Sequence, residues 1–122
     1  MCGVLSHTTE LADRLVMLGY REVTTTAPSM LGPAGTVFRG HEFHHSRLTS
    51  PPDAETIYAA TGWRGEGAEG FRRGRVLASY IHAHWGSNPR IAAALVAACQ
   101  GDRAGAAQEP SCSVSQPSTS AS

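Results

Sequence analysis

The sequence predicts an α/β fold in which several β segments are followed by one closing helix. Residues 20–26 are rich in β-branched side chains, which is typical of a strand. Residues 74–81 (GRVLASYI) form a short apolar stretch that also fits a strand. Ile91, Leu95 and Val96 recur among alanines at helical spacing, which predicts a helix with one buried face.

The remaining elements follow from local patterns along the chain. Residues 8–18 carry Leu11, Leu15 and Leu18 at helical spacing and predict a short helix or turn. Residues 28–35 (PSMLGPAG) are turn material. Residues 36–48 predict a long strand paired with the strand before it, and the prolines within 50–53 end that strand.

The second half of the chain is divided by glycine and proline. Residues 56–61 predict another short strand, and the four glycines within 62–70 predict a loop. Ser87-Asn88-Pro89 predicts a helix start, because a capping side chain precedes a proline in the first turn. We expect that helix to end at Gly101.

Composition divides the chain into one domain and a tail. A length of 122 residues leaves room for one domain. From residue 101 onward the chain consists mostly of Ser, Ala, Gly, Pro and Gln, with one valine as its only aliphatic residue beyond alanine, so it buries too little apolar surface to offset the entropy of ordering. We therefore expect residues 1–100 to be the folded part and residues 101–122 to be a disordered tail.

Charge and cysteine content limit the class of protein. Ten basic and ten acidic residues cancel, so nothing directs the chain to nucleic acid or to an anionic membrane. No apolar run approaches the ~20 residues of a membrane span, and the N-terminus has no signal-peptide pattern. Three cysteines without CxxC spacing, Cys2, Cys99 and Cys112, favour a reducing cytoplasm over a disulfide framework.

Two histidine-dense segments are the main functional signal. Five of the six histidines lie within residues 40–46 (GHEFHHS) and 79–89 (SYIHAHWGSNP). Histidine titrates near neutrality, so such clusters indicate a shared site or a metal. The alternative is that they line a sheet edge, or that His82 is a core histidine with its hydrogen bonds satisfied.

Residues 41–45 (HEFHH) formally match the HExxH pattern of zinc proteases. That pattern needs a helix, which places both histidines on one face. Gly40, Val37 and Phe38 favour a strand instead, and in a strand His41 and His45 would lie ~13 Å apart, too far to share one zinc. We therefore expect no tight zinc site.

Strand alternation assigns the polar residues to faces. It places Glu42 and His44 on one face, where they can hydrogen-bond, and His41, Phe43 and His45 on the other. It places His82 and His84 together at the end of an apolar strand. Ligand sites of open α/β sheets lie at such strand ends.

Three segments in series carry a family resemblance: residues 19–23 (GYREV), residues 40–44 (GHEFH) with Ser46, and residues 79–85 (SYIHAHW) with 87–89 (SNP). Together they resemble the C-terminal end of the cobyrinic acid and hydrogenobyrinic acid a,c-diamide synthases. The resemblance covers about residues 1–100. It implies a class I-like, flavodoxin-like glutamine amidotransferase domain, of which this chain is the C-terminal portion.

The resemblance implies an activity for the whole enzyme. Such enzymes amidate the a and c carboxylates of the corrin ring, with L-glutamine as nitrogen donor. A preceding N-terminal domain binds ATP and magnesium and activates each carboxylate, so no cofactor or metal is expected within this segment. A cysteine attacks the glutamine amide and a histidine activates that cysteine.

The family pattern also implies residue roles. Its activating histidine corresponds to His82. Related amidotransferases carry a carboxylate two residues later, where this chain has His84, so Glu42 is a candidate substitute to orient His82. His44, His84 and Ser46 are expected to line the site. The family's nucleophile lies in a Glu-Cys-Gly-Gly segment that this chain lacks.

Two further interpretations stay open from the residues alone. The chain could be a small metal- or ligand-binding module built on its histidines. It could also be a non-catalytic remnant that folds against a partner chain supplying the missing half. Under the family interpretation, we expect the isolated chain to be inactive and poorly folded, because the core of the domain would be incomplete.

Overall fold

The computed structural model describes residues 3–50 and 53–106 of the chain, and within them the backbone is dominated by antiparallel sheet. The elements are β1 (Thr9–Leu11), β2 (Met17–Thr25), β3 (Val37–His44), β4 (Ser46–Leu48), β5 (Glu55–Gly62), β6 (Gly65–Arg73), β7 (Val76–Ala78), β8 (Ile81–Ala83) and α1 (Pro89–Ala106). Six strands form one sheet in the order β7-β6-β5-β2-β3-β8, and β1 pairs with β4 in a separate two-stranded sheet. The predicted combination of several β segments and one closing helix is confirmed.

The core lies on one face of the six-stranded sheet. Alternation along β2 and β3 points Val23 and Phe38 to this face, and the strand register places these two residues opposite each other. Helix α1 adds Ile91, which is fully buried, and Leu95. The buried cluster comprises Val23, Leu31, Phe38, Ile57, Tyr58, Ala60, Ile81 and Ile91. We name this side of the sheet the covered face.

The start of α1 is tied to β3, which confirms the predicted helix start. Asn88 caps the helix by accepting a hydrogen bond from the Arg90 amide, at 3.1 Å. Its side-chain amide donates to the Val37 carbonyl at 2.8 Å, and the Arg39 amide donates to Ser87 Oγ at 2.9 Å. These bonds fix the segment between β8 and α1 against the first half of β3.

The opposite side of the sheet, which we name the open face, is exposed in the described residues. Tyr20 is 85% exposed on β2, and Leu18 beside it is 55% exposed. Phe43 of β3 lies opposite Leu18 and is half exposed. The open face therefore carries large apolar side chains that nothing described here covers.

The helix or turn predicted over residues 8–18 is wrong. These residues belong to β1, to a connecting segment and to the start of β2. Leu11, Leu15 and Leu18 are all exposed, so their helical spacing creates no buried stripe. Pairing of β1 with β4, some forty residues away in sequence, decides the conformation, and local spacing cannot report such a contact.

The loop predicted over residues 62–70 is also wrong. Residues Gly65–Arg73 form β6, which pairs with β5 around the two-residue turn Trp63-Arg64. Gly65 closes this turn with φ of 100°, a conformation that favours glycine. The glycines thus serve a hairpin and a strand, because cross-strand hydrogen bonds outweigh their low strand propensity.

Other boundaries shift by smaller amounts. The strand predicted over 36–48 ends at His44, and Ser46–Leu48 joins the small sheet as β4. The strand predicted over 74–81 divides into β7 and β8 at Ser79 and Tyr80. The helix continues past Gly101 to Ala106, and the rest of the predicted tail lies outside the described residues.

The remaining predicted elements agree with the structure. The strands predicted over 20–26 and 56–61 are β2 and β5, and β2 pairs with β3 as expected. Turns and bends occupy residues 28–35, with a bridge between Ser29 and Gly32. In the described part of the chain, no helix is long and apolar enough to cross a membrane.

Candidate functional site

The pairing of β3 with β8 brings the two histidine segments together on the open face. The register sets His41 directly opposite His82. Their rings stack with centroids 4.7 Å apart and planes 8° from parallel. His82 Nδ1 lies 3.2 Å from the main-chain oxygen of His41. Because that oxygen only accepts hydrogen bonds, Nδ1 is the protonated nitrogen and donates to it.

His84 lies just beyond the end of β8 and is exposed, as His82 is. Its main chain is tightly held: the His84 amide donates to the Arg39 carbonyl at 2.8 Å. The His84 carbonyl accepts from the Ser87 hydroxyl at 2.6 Å, within the 3₁₀ turn Trp85–Ser87. The backbone that carries both histidines is therefore fixed on each side, while their side chains face outward.

A second polar cluster lies on the covered face, centred on Glu42. Arg21 Nε donates to one carboxylate oxygen of Glu42 at 2.7 Å, and His44 Nε2 bonds to the other at 2.8 Å. Glu42 is 8% exposed, so this is a largely desolvated arrangement. The predicted Glu42–His44 hydrogen bond along one strand face is confirmed.

The charges around Glu42 favour its ionised form. Burial raises the pKa of Glu42, but the hydrogen bonds from His44 and Arg21 outweigh it and hold the pKa below its ordinary value of 4.5. Glu42 is thus a carboxylate at neutral pH, with both oxygens engaged. Its two oxygens are held by structural partners on the covered face.

The cluster continues from His44 to Ser46 and Tyr80. His44 Nδ1 lies 2.6 Å from the Ser46 carbonyl, and its ring stacks on Tyr80 with centroids 3.9 Å apart. Ser46 Oγ and the Tyr80 hydroxyl are 2.9 Å apart. Both ring nitrogens of His44 are engaged by neighbouring oxygens, one of Glu42 and one of Ser46. His44 and Ser46 therefore belong to a packed network on the covered face.

The predicted site residues thus divide between the two faces. His82 and His84 lie on the open side, whereas Glu42, His44 and Ser46 lie on the covered side. The suggestion that Glu42 orients His82 is corrected by this geometry. Register places Glu42 opposite Ile81, one residue from His82, and a one-residue offset in a strand reverses the face.

Sequence reasoning missed three participants. Arg21 neutralises Glu42, Tyr80 stacks on His44, and His41 contacts His82. Arg21 and Tyr80 stand inside the motif segments, but their contacts depend on strand register. The His41–His82 contact required knowing that β3 and β8 are neighbours, which no local pattern indicates.

The conformation of residues 41–45 and the positions of the cysteines bear on the predicted metal site and nucleophile. Residues 41–45 are strand through His44 and not helix, so the HExxH match lacks the conformation that it needs. Nowhere in the described ranges do three His, Cys, Asp or Glu side chains group to hold a metal ion. Cys99 is an exposed cysteine of α1, while Cys2 and Cys112 lie outside the described residues.

These features define a sheet with an exposed histidine pair on one face, consistent with part of a glutamine amidotransferase domain. Comparison with known proteins identifies that class: residues 1–90 match the CobB/CobQ-like glutamine amidotransferase domain, and the chain belongs to this family. The resemblance inferred from the three segments is confirmed. No solved structure matches the chain.

Relatives narrow the family further. The chain is 40% identical over 113 residues to the cobyrinate a,c-diamide synthase of Syntrophotalea carbinolica, a match covering 84% of this chain and 23% of that protein. It is 47% identical over 85 residues to the hydrogenobyrinate a,c-diamide synthase of Agrobacterium fabrum, covering 68% of this chain and 19% of that protein. The chain therefore spans about a fifth of the length of these relatives.

Proposed function

We propose that this chain is the C-terminal part of a glutamine amidotransferase domain in an ATP-dependent corrin a,c-diamide synthase, with His82 as the base that activates a cysteine supplied by the preceding part. The observation that carries the proposal is the hydrogen bonding of the two ring nitrogens of His82. Its Nδ1 is engaged by the His41 carbonyl, and Nε2 has no hydrogen-bond partner among the described residues. The ring thus presents its second nitrogen, Nε2, to the open face.

The chemistry follows from that free nitrogen. Nε2 of His82 accepts the thiol proton, and the thiolate attacks the amide carbon of glutamine. Collapse of the adduct transfers the proton from His82 to the leaving nitrogen, which departs as ammonia. Water then hydrolyses the thioester, releasing glutamate and restoring the thiol. The ammonia would amidate the activated a and c carboxylates of the corrinoid substrate.

The exposed apolar residues of the open face favour packing against another segment, which we propose is the preceding part of the same protein. Tyr20, Leu18 and Phe43 form exposed apolar surface on the same side as His82. A segment that packs on this surface would bury it and would also bring its cysteine to the exposed imidazole. We infer that this segment completes the class I-like, flavodoxin-like domain, to which the described antiparallel sheet contributes one part.

We infer that ATP and magnesium bind elsewhere in the protein. Within residues 3–50 and 53–106, no group of three His, Cys, Asp or Glu side chains comes together. The helix start at Pro89 follows Asn88, whose side chain already bonds the first turn and β3. We therefore assign ATP and magnesium to the preceding domain and no step to them on this chain. We place the enzyme in the cytoplasm.

A hybrid enzyme tests the proposal. Residues 1–100 of this chain would replace the matching segment of the Syntrophotalea carbinolica synthase. We expect glutamine-dependent amidation, and we expect His82→Ala to lower it at least ~10²-fold, the scale of losing a general base. Activity with added ammonia should persist, because ammonia bypasses the thiol step.

His45→Ala is the matched control for this experiment. His45 is an exposed histidine just after β3, and its ring contacts Phe43 rather than His82. We expect both activities of this variant to equal those of the unmutated hybrid. Equal loss of glutamine- and ammonia-dependent activity in His82→Ala would show that His82 serves the fold and not the thiol step.

A further inference from the structure

His82 carries no carboxylate partner in the described part of the chain. Glu42, the nearest carboxylate in β3, lies on the opposite face and is occupied by Arg21 and His44. A catalytic imidazole nevertheless needs one nitrogen held as a donor, so that the other is available as a base. Some other group must therefore fix the tautomer and the ring orientation of His82.

His41 supplies both restraints. Its main-chain oxygen accepts a hydrogen bond from His82 Nδ1 at 3.2 Å, which fixes the proton on that nitrogen. Its ring lies parallel to the ring of His82, with centroids 4.7 Å apart, within the range of offset aromatic stacking. The first contact sets which nitrogen is free, and the second limits rotation about the side-chain torsions.

The backbone that makes these contacts is itself constrained. Gly40, next to His41, lies so close to β8 that an added Cβ would stand 2.4 Å from the His82 carbonyl oxygen. Beyond β8, the His84 amide bonds the Arg39 carbonyl at 2.8 Å. The spacing between the two histidine-bearing strands is therefore set by backbone contacts on both sides of the pair.

We propose that His41 is the positioning residue of His82, with its main-chain carbonyl in the place that a carboxylate takes in a three-membered catalytic set and its ring as a stacking support. This inference rests on the proposed function, because it assigns the support of the same base. It also explains how the site can operate with His84, not a carboxylate, two residues after His82.

Paired substitutions in the hybrid enzyme test the stacking. His41→Phe keeps a flat ring against His82, whereas His41→Ala removes it. We expect His41→Ala to lower the kcat of glutamine hydrolysis about tenfold with little change in the KM for glutamine, since a misoriented base affects chemistry more than binding. His41→Phe should recover most of this loss, and ammonia-dependent activity should be unchanged in both variants.

The carbonyl contact has a spectroscopic test. In solid-state ¹⁵N spectra of the sedimented hybrid with labelled histidine, the neutral His82 ring should carry its proton on Nδ1. The His82 signals are identified by their loss in His82→Ala. A proton on Nε2, or equal kcat values for His41→Ala and the unmutated hybrid, would overturn the positioning role.

The two proposals fail separately. If His82→Ala retains glutamine-dependent activity, the assignment of the base falls. If His82→Ala loses that activity while His41→Ala matches the unmutated hybrid, only the role of His41 falls. If His41→Phe is as impaired as His41→Ala, ring stacking is not the restraint, and the positioning role is likewise rejected.

Discussion

The two faces of β3 use adjacent residues for opposite purposes. Glu42 and His44 point to the covered face, where both carboxylate oxygens of Glu42 are hydrogen-bonded. His41 and Phe43 point to the open face, where Phe43 is half exposed and the His41 ring stacks on the ring of the exposed His82. Residues 41–44 thus divide into a hydrogen-bonded pair on one face and an exposed pair on the other, because side chains alternate along a strand.

The two faces also differ in the solvent exposure of their ion pairs. Both join β2 to β3 through an arginine and a glutamate. The Arg21–Glu42 pair on the covered face has side chains 14% and 10% exposed, whereas the Arg39–Glu22 pair on the open face has 76% and 48%. The first pair is desolvated and must stay intact, while the second is solvated and screened.

The largest expected effect is the loss of Glu42. In the hybrid enzyme, Glu42→Ala should lower the free energy of opening of β3 by about 3 kcal/mol or more, because it leaves the Arg21 cation buried without its partner. Glu22→Ala should cost about 0–1 kcal/mol, the range for an exposed pair. Hydrogen exchange of the β3 amides measures both values. Equal costs for the two variants would remove the distinction between the faces.

Two glycines provide the next comparison. Gly40 lies under β8, where a Cβ would stand 2.8 Å from Ile81 Cγ2 as well as against the His82 carbonyl. Gly67, in β6, has nothing within 4 Å of the same position. We expect Gly40→Ala to cost about 1–3 kcal/mol by overpacking and also to lower glutamine-dependent activity, since it displaces the strand that carries His82.

Gly67→Ala is the control for that substitution. Its φ is not in the left-handed region, so alanine can adopt the conformation and also restricts the unfolded chain. We expect its effect on the β3 opening free energy and on glutamine hydrolysis to be small. A neutral Gly40→Ala would mean that β8 can shift without consequence, and that close packing does not position His82.

Much of the sheet was predictable from local sequence, because β2, β5 and the start of α1 are specified by local features. β-branched residues mark residues 20–26, and Asn88 with Pro89 marks the helix start. Alternation also assigned Glu42 and His44 to one face correctly. Motifs in series identified the family, since each short segment alone is weakly specific but the ordered set is not.

The wrong predictions concerned residues whose structure depends on contacts between segments distant in sequence. Residues 8–18 become strand because β1 pairs with β4, and residues 65–73 become strand because β5 offers a neighbour. The partner of His82 was misassigned to Glu42 for the same reason. Only the β3–β8 register shows that His41, and not Glu42, lies opposite His82.

The smallest expected effect concerns two carboxylates that differ in their partners. Burial raises the pKa of Glu69, and the hydrogen bonds from Ser79 Oγ and the Tyr80 and Gly70 amides do not fully offset it. Glu42 has the opposite net shift, below 4.5, because the hydrogen bonds from His44 and Arg21 outweigh the effect of burial. A group whose pKa is raised by folding, such as Glu69, stabilises the fold at pH values below its unfolded-state pKa, and this stabilisation is lost as pH rises. A group whose pKa is lowered by folding, such as Glu42, stabilises the fold at pH values above its unfolded-state pKa, and this stabilisation is lost as pH falls.

Acidification should therefore act on the two groups in sequence. As pH falls toward 4.5, protonation of Glu69 should slightly increase the free energy of opening of β3. As pH falls further, protonation of Glu42 should decrease it, because the bonds to Arg21 and His44 lose their charge. Glu69→Gln should abolish the first change and keep the second, as followed by hydrogen exchange of β3 with intrinsic exchange rates corrected for pH. The contrary outcome is an opening free energy of β3 that only decreases as pH falls from neutrality, in the unmutated hybrid and in Glu69→Gln alike. It would show that the neutral donors around Glu69 stabilise its carboxylate as well as His44 and Arg21 stabilise that of Glu42.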